Sequence, residues 1–358
     1  LALIPIYFIC AIWGGQDRIR VTLKFFIYTF VGSLFMLVAL LYVYLQTNLP
    51  AEALAEVGGN HSFAWNDLVH VQLSPTAANW VMLGFFLAFA VKMPVFPFHT
   101  WQPDTYVTSP TGGTMLLSVI MLKMGIYGVI RWMVPLAPEA MHYWTPIFML
   151  LAVIGIVYAS IIAVKQSDLK RLIAYSSIAH VGLIAAGVLA WNKAGVQGSL
   201  IQMLNHGINV VGLFFVVDLI ERRIGTRTLA DMGGIAKSAP KFAALFMIVM
   251  LGSVAVPLTN GFPGEFLLLN GVWNYNVWLG GVAGLTIIFG AVYMLRAYGL
   301  AMFGEANRET AQFQDVNANE WVVLGVIAGL VVVLGFFPQL VLNLTDGSVN
   351  KILGAVQF

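Results

Sequence analysis

Three charged side chains lie inside apolar segments that are long enough to cross a lipid bilayer. Lys92 interrupts FFLAFAVKMPVFPF, Lys123 interrupts LLSVIMLKMGIYGVI, and Glu265 follows GFP in a third apolar stretch. A charge at the bilayer centre costs at least about 2.5–3.5 kcal/mol on insertion scales, so such residues are normally retained for a task. Amines and carboxyl groups exchange protons, and desolvation disfavours the charged form of both. The pattern therefore indicates intramembrane proton transfer. The plainer alternative is that the lysines snorkel to the headgroups.

Two histidines lie in neighbouring apolar segments, His180 in IAYSSIAHVGLI and His206 in QMLNHGINVVG. Imidazole titrates near neutral pH and can pass protons through water. Polar residues occur about one turn away in both segments, namely Ser176, Ser177, Asn205 and Asn209. A proton relay and a purely structural hydrogen-bonding role both fit these residues. His99 lies at the end of the Lys92 segment, where capping of a helix end explains it equally well.

The composition excludes a soluble protein. The chain has 358 residues, of which 59% are hydrophobic and 9% are charged, whereas about 25% are charged in a soluble domain. We therefore predict an all-α, polytopic transmembrane helix bundle. The net charge of +2 is spread over short loops, which gives no nucleic-acid site. The single cysteine, Cys10, excludes an intrachain disulfide and a cysteine-ligated cluster. Neither metal-ligand spacing within a span nor a phosphate-binding glycine loop occurs, so we expect no metal and no nucleotide in this chain.

About 20 apolar residues cross the hydrocarbon core. This length predicts spans at 23–46, 77–98, 113–134, 144–164, 172–190, 196–220, 241–273, 278–303 and 321–342. A partial helix precedes them, from which we expect the sequence to be truncated at its N-terminus. The stretch 47–76, which carries Glu52, Glu56 and Asp67, is expected to be a loop, and 342–358 a tail.

The lysines and arginines predict the orientation of the spans. They cluster in alternate loops, which hold Arg18, Arg20 and Lys24, then Lys165, Lys170 and Arg171, then Arg222, Arg223, Arg227, Lys237 and Lys241. By the positive-inside rule this basic side faces the cytoplasm or its organellar equivalent. Asp168, Lys170 and Arg171 are interpreted as the solvated start of a helix.

Two predicted spans contain helix-breaking residues beside a charge. Pro94 and Pro97 follow Lys92 in KMPVFP, and VPLTNGFPGEF places Pro257, Gly261, Pro263 and Gly264 before Glu265. Proline removes a backbone donor and frees carbonyls, which must find partners inside the protein. Paired interrupted helices are typical of inverted-repeat transporters with an ion pathway at the interruptions. The alternative is a pair of ordinary proline kinks.

Together, these segments resemble the antiporter-like membrane subunits of respiratory complex I, the proton-pumping NADH:quinone oxidoreductase. The resemblance covers nearly the whole chain and is carried by AFAVKMPVFPFHTWQPDTYVTSPTGG, LLSVIMLKMGIYGVIRW, QSDLKRLIAYSSIAHVGLI, LNHGINVVGLFF and NGFPGEFLLL. Within the family the chain is similar to the chain 4 branch, subunit M in bacteria. That branch has a glutamate at the position of Glu265, where related subunits usually carry lysine. Pro263 departs from the family, which more often has a β-branched residue there.

The resemblance implies a role for each of the five buried ionisable residues. Lys92 corresponds to the lysine of the first broken helix, whose partner glutamate would lie immediately before Leu1 and so outside the sequence. Lys123 corresponds to the central lysine that joins two half-channels. His180 and His206 correspond to a central hydrated axis, and Glu265 to the terminal carboxylate that leads outward.

The resemblance also implies an organisation and an assembly. Residues 1–134 would end a first inverted five-helix repeat, 135–303 would form the second, and 304–358 would add a loop, a last transmembrane helix and a tail. Partners would be other membrane-arm subunits, including neighbouring antiporter-like chains, and the lipid bilayer. Flavin, iron–sulfur clusters and quinone would belong to those partners, and none to this chain. The expected location is a bacterial plasma membrane, with an organellar inner or thylakoid membrane as the alternative.

Three other functions stay open from the sequence. The chain could be a subunit of a multisubunit cation/proton antiporter, or it could act alone as a secondary antiporter. In either case it would lack flavin and iron–sulfur partners. It could also belong to a membrane-bound hydrogenase-type complex, which shares the scaffold. A purely structural scaffold would leave the five buried ionisable residues unexplained.

Overall fold

The computed structural model describes residues 3–48 and 60–356, and in these ranges the regular secondary structure is entirely helical. The helices that build the bundle are α1 Leu3–Trp13, α2 Arg18–Gln46, α3 Pro75–Lys92, α4 Gln102–Thr108, α5 Thr111–Leu136, α6 Pro138–Lys165, α7 Leu169–Leu189, α8 Lys193–Ile224, α9 Pro240–Ser253, α10 Gly261–Tyr275, α11 Val277–Met302, α12 Ala318–Phe336 and α13 Gln339–Ala355. Within the described ranges, eight of them are long and apolar enough to cross a membrane: α2, α3, α5, α6, α7, α8, α11 and α12. The predicted transmembrane helix bundle is confirmed.

Helix α7 lies at the centre of the bundle, with almost every residue from Leu169 to Leu189 buried. It packs against α6, α8, α10 and α11. The outer faces of α2, α6, α11 and α12 instead expose large apolar side chains, among them Val38, Ile288 and Val326. Because lipid is as apolar as these side chains, such faces suit the hydrocarbon region. The polar residues of α7 are therefore held away from lipid.

The three basic loops meet at one end of the bundle. Asp104 of α4 pairs with Lys24 at 3.3 Å and with Arg171 at 3.0 Å. Arg227 pairs with Asp168 at 3.3 Å, which joins the second loop to the third. The predicted common side of these loops is confirmed, and we call it the basic end. Its assignment to the cytoplasm stays a prediction of the positive-inside rule.

The first interruption follows Lys92 directly. Helix α3 ends at Lys92, and the chain resumes helical structure at Gln102. The indole Nε1 of Trp101 donates to the Val91 carbonyl at 2.9 Å, so a carbonyl freed by the break has a buried partner. Gln102 Nε2 donates to the Ala174 carbonyl of α7 at 3.4 Å. The second half-helix is thus held against the central helix.

The second interruption lies between Ser253 and Gly261, slightly earlier than the sequence indicates. Pro263 and Gly264, expected inside the break, lie in the first turn of α10, where the backbone N–H has no helical partner and proline is tolerated. Ala255 and Leu258 adopt left-handed backbone angles, with φ of 58° and 72°. Such conformations cost about 1–3 kcal/mol each in non-glycine residues and cluster at functional sites.

Helix α5 contains two π-helical segments, Leu117–Met121 and Val129–Met133, on either side of Lys123. A π-helical turn leaves backbone carbonyls without their usual partner four residues later. The Ser118 carbonyl, inside the first segment, accepts a hydrogen bond from Lys123 Nζ at 2.6 Å. The widened turn therefore supplies an internal acceptor for the lysine.

The segments outside the predicted spans contain more helix than the sequence indicates. The expected tail at 342–358 is helix α13 as far as it is described, and its Asp346 accepts hydrogen bonds from Lys193 Nζ at 2.8 Å and Gln197 Nε2 at 2.7 Å. The Lys193 hydrogen bond lowers the pKa of the Asp346 carboxyl. The predicted loop at 47–76 contains the short helix Trp65–Val69 and the start of α3. Glu52 and Glu56 lie outside the described residues.

Helices α8 and α10 cross closely at glycines, and this contact predicts a stability effect. A β-carbon at Gly271 would lie 2.5 Å from the Cα of Gly195, so Gly271→Ala must push α10 away from α8. We expect a loss of about 1–3 kcal/mol, the usual cost of overpacking, seen as a lower thermal denaturation midpoint of the purified protein. Gly281→Ala on α11, where nothing lies within 4 Å, is the matched control. Equal midpoints for the two variants would contradict the prediction.

Candidate proton-transfer site

Lys123 lies between the π-helical segments of α5 and points towards α8. Its Nζ lies 2.9 Å from Nδ1 of His206 and 2.6 Å from the Ser118 carbonyl. The ammonium therefore has one backbone acceptor and one titratable partner. No carboxylate within the described residues forms an ion pair with it, so its neighbour in any proton exchange is the imidazole.

The two histidines, expected to be neighbours, are in contact. The rings of His206 on α8 and His180 on α7 meet edge to face with centroids 5.8 Å apart, and both side chains are buried. His206 Nε2 is buried and has no protein hydrogen-bond partner among the described residues. One nitrogen of His206 thus engages Lys123 while the other stays available on the far side of the ring, the arrangement needed to pass a proton through an imidazole.

Glu265 lies beyond His180 and completes the row. Its Oε1 lies 3.6 Å from Nε2 of His180, and Gln202 Nε2 donates to the same oxygen at 3.4 Å. The carboxyl is 4% exposed. Gly264 makes this contact possible, because a β-carbon there would collide with the Gln202 amide oxygen. Glu265 therefore has a titratable partner on one side and an amide on the other.

Four of the five predicted residues therefore form one continuous row, Lys123–His206–His180–Glu265, from four different helices, α5, α8, α7 and α10. We call it the Lys–Glu row. Successive contacts are a hydrogen bond, a ring contact and an imidazole–carboxylate approach. Gaps longer than a direct hydrogen bond are of a size that water bridges. The arrangement can carry a proton between a lysine and a carboxyl group inside an apolar bundle.

Lys92, the fifth predicted residue, is not part of the row. Its side chain lines a separate cavity of about 380 Å³ with Thr29 and Ser33 of α2 and Met121 and Met124 of α5. Helices α3 and α5 cross closely here, since a β-carbon at Gly125 would lie 3.2 Å from that of Lys92. No hydrogen bond or ion pair within the described part of the chain joins Lys92 to Lys123. The two lysines thus occupy adjoining but distinct environments.

Three other titratable residues singled out in the sequence lie outside the Lys–Glu row. Lys170 is 3% exposed and donates to the Ser109 carbonyl at 2.8 Å, so its interpretation as a solvated residue is wrong. Asp168 does cap α7, accepting from the Arg171 backbone N–H at 2.8 Å. His99 packs beside Phe96 and Tyr158, away from the Lys–Glu row.

Sequence reasoning missed Gln202, whose amide contacts the Glu265 carboxyl directly. Asn205, which the sequence did single out, donates from Nδ2 to the Asn260 carbonyl in the second interruption. Asn260 N in turn donates to the Val331 carbonyl of α12 at 2.9 Å. Gln202 lies one turn before His206 on α8, so a search for polar residues at helical spacing around each histidine could have found it.

Residues 1–290 match the family model described as NADH:quinone oxidoreductase/Mrp antiporter, TM. The chain belongs to this family. The NADH-quinone oxidoreductase subunit M of Rickettsia conorii is 43% identical over 357 residues, which cover 98% of this chain and 69% of that protein. The predicted family resemblance is confirmed.

Solved structures give the same fold for this antiporter-family chain. A chain of respiratory complex I from Thermus thermophilus with bound NADH matches with a TM-score of 0.89 and 31% identity, covering 100% of this chain and 73% of that one. A chain of the Mrp complex from Dietzia sp. DQ12-45-1b matches with a TM-score of 0.84 at 17% identity, covering 99% and 74%. At that identity the second likeness concerns the fold alone.

Across the described ranges, no group of three or more histidine, cysteine, aspartate or glutamate side chains is placed to hold a metal ion. His180 and Glu265 are two potential ligands, and His206 meets His180 edge to face.

Proposed function

We propose that the chain is a proton-translocating membrane-arm subunit of NADH:quinone oxidoreductase and that protons move along the Lys–Glu row. The observation that carries the proposal is the row itself: four ionisable side chains from four helices meet inside an apolar bundle. Buried ionisable groups are costly in a membrane and are retained for transport or relay. Membership of the family and the 43% identical subunit M support the choice of complex.

The proposed transfer moves one proton at a time through the two imidazoles. Lys123 gives a proton to His206 Nδ1 when the ammonium loses its stabilisation. The imidazole releases a proton from Nε2 towards His180, and His180 protonates Glu265 across their 3.6 Å approach. Glu265 then releases the proton towards the opposite end of the bundle. Each imidazole ends neutral but in the opposite tautomer, so a ring rotation or a proton exchange with water must reset it before the next transfer.

We propose that Lys92 supplies the trigger. Two unit charges 4 Å apart interact by about 4 kcal/mol at an effective dielectric constant near 20, so moving one partner of an ion pair changes a neighbour's proton affinity strongly. Redox chemistry elsewhere in the complex would alter the charge environment of Lys92 in its cavity. The crossing of α3 and α5 at Gly125 supports electrostatic transmission from there to Lys123.

The proposal assigns partners and location in the same way. The chain would lie in the membrane arm beside other antiporter-like subunits, while flavin, iron–sulfur clusters and quinone belong to other subunits. The bacterial relative supports a bacterial plasma membrane. We further propose that 1–134 and 135–303 are the end of one inverted repeat and a second repeat, followed by 304–358. Internal superposition of the two broken-helix units would test that division.

The function is tested by counting pumped protons per electron in the assembled complex after substitution of either end of the row. Loss of pumping with intact assembly supports the proposal, and normal pumping with both ends replaced would refute it. Copurification decides between this complex and a cation/proton antiporter or hydrogenase-type assembly. Flavin and iron–sulfur subunits must accompany the chain if the proposal is right.

His180→Ala is expected to reduce pumping less than loss of either end residue. Water can replace a missing imidazole between His206 and Glu265, at a modest cost in rate. The measurement is the proton-to-electron ratio of the assembled complex, with His70→Ala as the control, because His70 is exposed in the loop before α3. A complete loss equal to that of the Lys123 variant would show that the imidazole itself is indispensable.

A further inference from the structure

Helix α11 places a tyrosine beside the Lys–Glu row that the proposed function does not use. The Tyr293 side chain is fully buried, and its Oη lies 3.0 Å from Oγ of Ser176 on α7. Ser176 lies one turn before His180 on the same helix face. His180 Nε2 in turn lies 3.6 Å from Oε1 of Glu265. The two hydroxyls therefore adjoin the glutamate end of the row.

These two hydroxyls hold one more hydrogen than their mutual bond uses. Each has one O–H donor, and a bond between them commits only one of the two. Thr145, by contrast, donates to the Met141 carbonyl of its own helix at 2.7 Å. Neither Ser176 nor Tyr293 makes such a bond within the described residues. One hydroxyl hydrogen is therefore available to an acceptor outside the pair.

The hydroxyl pair lies on the basic side of Glu265. Helix α7 starts at the basic end, and Ser176 precedes His180 along it. On α11, Arg296 follows Tyr293 by one turn, and its Nη1 donates to the Val164 carbonyl at 2.6 Å at that same end. The pair thus extends from Glu265 towards the basic end along α7 and α11, on a line that does not include Lys123.

We propose that Tyr293 and Ser176 form a hydroxyl pair through which Glu265 takes up protons from the basic side of the membrane without passing through Lys123. This inference rests on the proposed function, because release of the proton from Glu265 still requires the charge change that passes along the Lys–Glu row from Lys123. Lys123→Ala therefore stops pumping whichever route supplies Glu265. In each transfer the uncommitted hydroxyl gives its proton to the Glu265 carboxylate, and the other hydroxyl passes its proton across the 3.0 Å hydrogen bond. A hydrated proton from the basic side then protonates the last oxygen. One proton enters, one reaches Glu265, and both hydroxyls are restored.

Tyr293→Phe tests the inference, because it removes the hydroxyl and keeps the ring. In the assembled complex, in inside-out vesicles, we expect proton pumping per electron to fall at least about twofold, since removing a group that transfers protons commonly costs far more than this. The loss should grow as the pH on the basic side rises, because proton supply then limits uptake. A purely structural role would lower pumping equally at every pH.

Tyr298→Phe is the matched control. Tyr298 lies on the same helix, is 5% exposed, and donates one hydrogen bond to the Ala243 carbonyl at 3.0 Å. Its loss should leave both the pumping ratio and the pH profile unchanged. If the two tyrosine variants have the same ratio and the same pH profile, the hydroxyl pair is only a structural tie and the inference is wrong.

Substitution of Ser176 answers the same question with a smaller change of volume. Ser176→Ala should reproduce the Tyr293→Phe pH profile, and Ser176→Thr, which keeps a hydroxyl, should restore it. Normal profiles for both serine variants would overturn the inference even if the tyrosine variant fails to assemble. Lys123→Ala separates the two proposals. If it stops pumping while Tyr293→Phe pumps normally, only the hydroxyl pair is refuted; if it pumps normally, the proposed function itself fails.

Discussion

Replacement of Lys123 by alanine is expected to abolish proton pumping while the complex still assembles. The substitution removes the first member of the Lys–Glu row and leaves His206 Nδ1 without its 2.9 Å partner. Removing a proton-transfer group typically lowers a rate by about 10²–10⁴-fold, so pumping should fall below detection. Quinone reduction that is coupled to pumping should fall with it. The measurement is proton uptake during NADH oxidation by vesicles that contain the assembled complex.

The matched control for this experiment is Lys193→Ala. Lys193 is also at a polar position of a long helix, but its side chain is 54% exposed and pairs with Asp346 at 2.8 Å, far along α8 from His206. Because exposed ion pairs contribute at most about 1 kcal/mol, this variant should assemble and pump normally. An assembled Lys123→Ala complex that pumps like the control would remove Lys123 from the pathway.

Glu265→Gln is expected to have the second largest effect. Glutamine keeps the size of the side chain and can accept from Gln202 Nε2, but it cannot take up a proton from His180 at neutral pH. Assembly should therefore be preserved and pumping should fall by at least about 10²-fold. The proton-to-electron ratio measures the loss, and Glu320→Gln on α12, outside the Lys–Glu row, controls for the loss of one carboxylate.

The Glu265→Lys variant tests whether position 265 requires a carboxylate or any titratable group. If the variant retains most of its pumping, the position needs a titratable group of either charge sign. If it is as inactive as Glu265→Gln, the carboxylate is needed, in keeping with its approach to His180 and Gln202. Full activity of the glutamine variant would exclude Glu265 from the pathway.

Much of the fold could be predicted because the apolar segments are long and their breaks contain proline and glycine. Helix α3 ends at Lys92 because Pro94 and Pro97 follow it, and the two prolines allowed this helix end to be predicted from the sequence. The limits of the second break were less clear, since Pro263 can begin a helix as well as end one. Helix α13 was missed because it is amphipathic rather than continuously apolar, and a search for membrane-spanning segments detects only continuous apolar runs.

The site was only partly predictable because its contacts join distant segments. Lys123 and His206 are 83 residues apart, and hydropathy says nothing about which helices pack together. The residue types therefore identified candidates, whereas their order in the Lys–Glu row came from the structure. Lys170 was misjudged for the same reason: its carbonyl acceptor at Ser109 comes from the turn between α4 and α5.

The wide turns of α5 make the number of residues there matter as much as their identity. An α-helix places successive side chains about 100° apart around its axis. If Leu117–Met121 closed into ordinary α-helix with all of its residues, everything beyond it would rotate by about that angle relative to the preceding turns. Lys123 would then no longer face α8. Deleting one residue as the turn closes would restore the direction of the lysine, so the wide turn and the residue count together determine where Lys123 points.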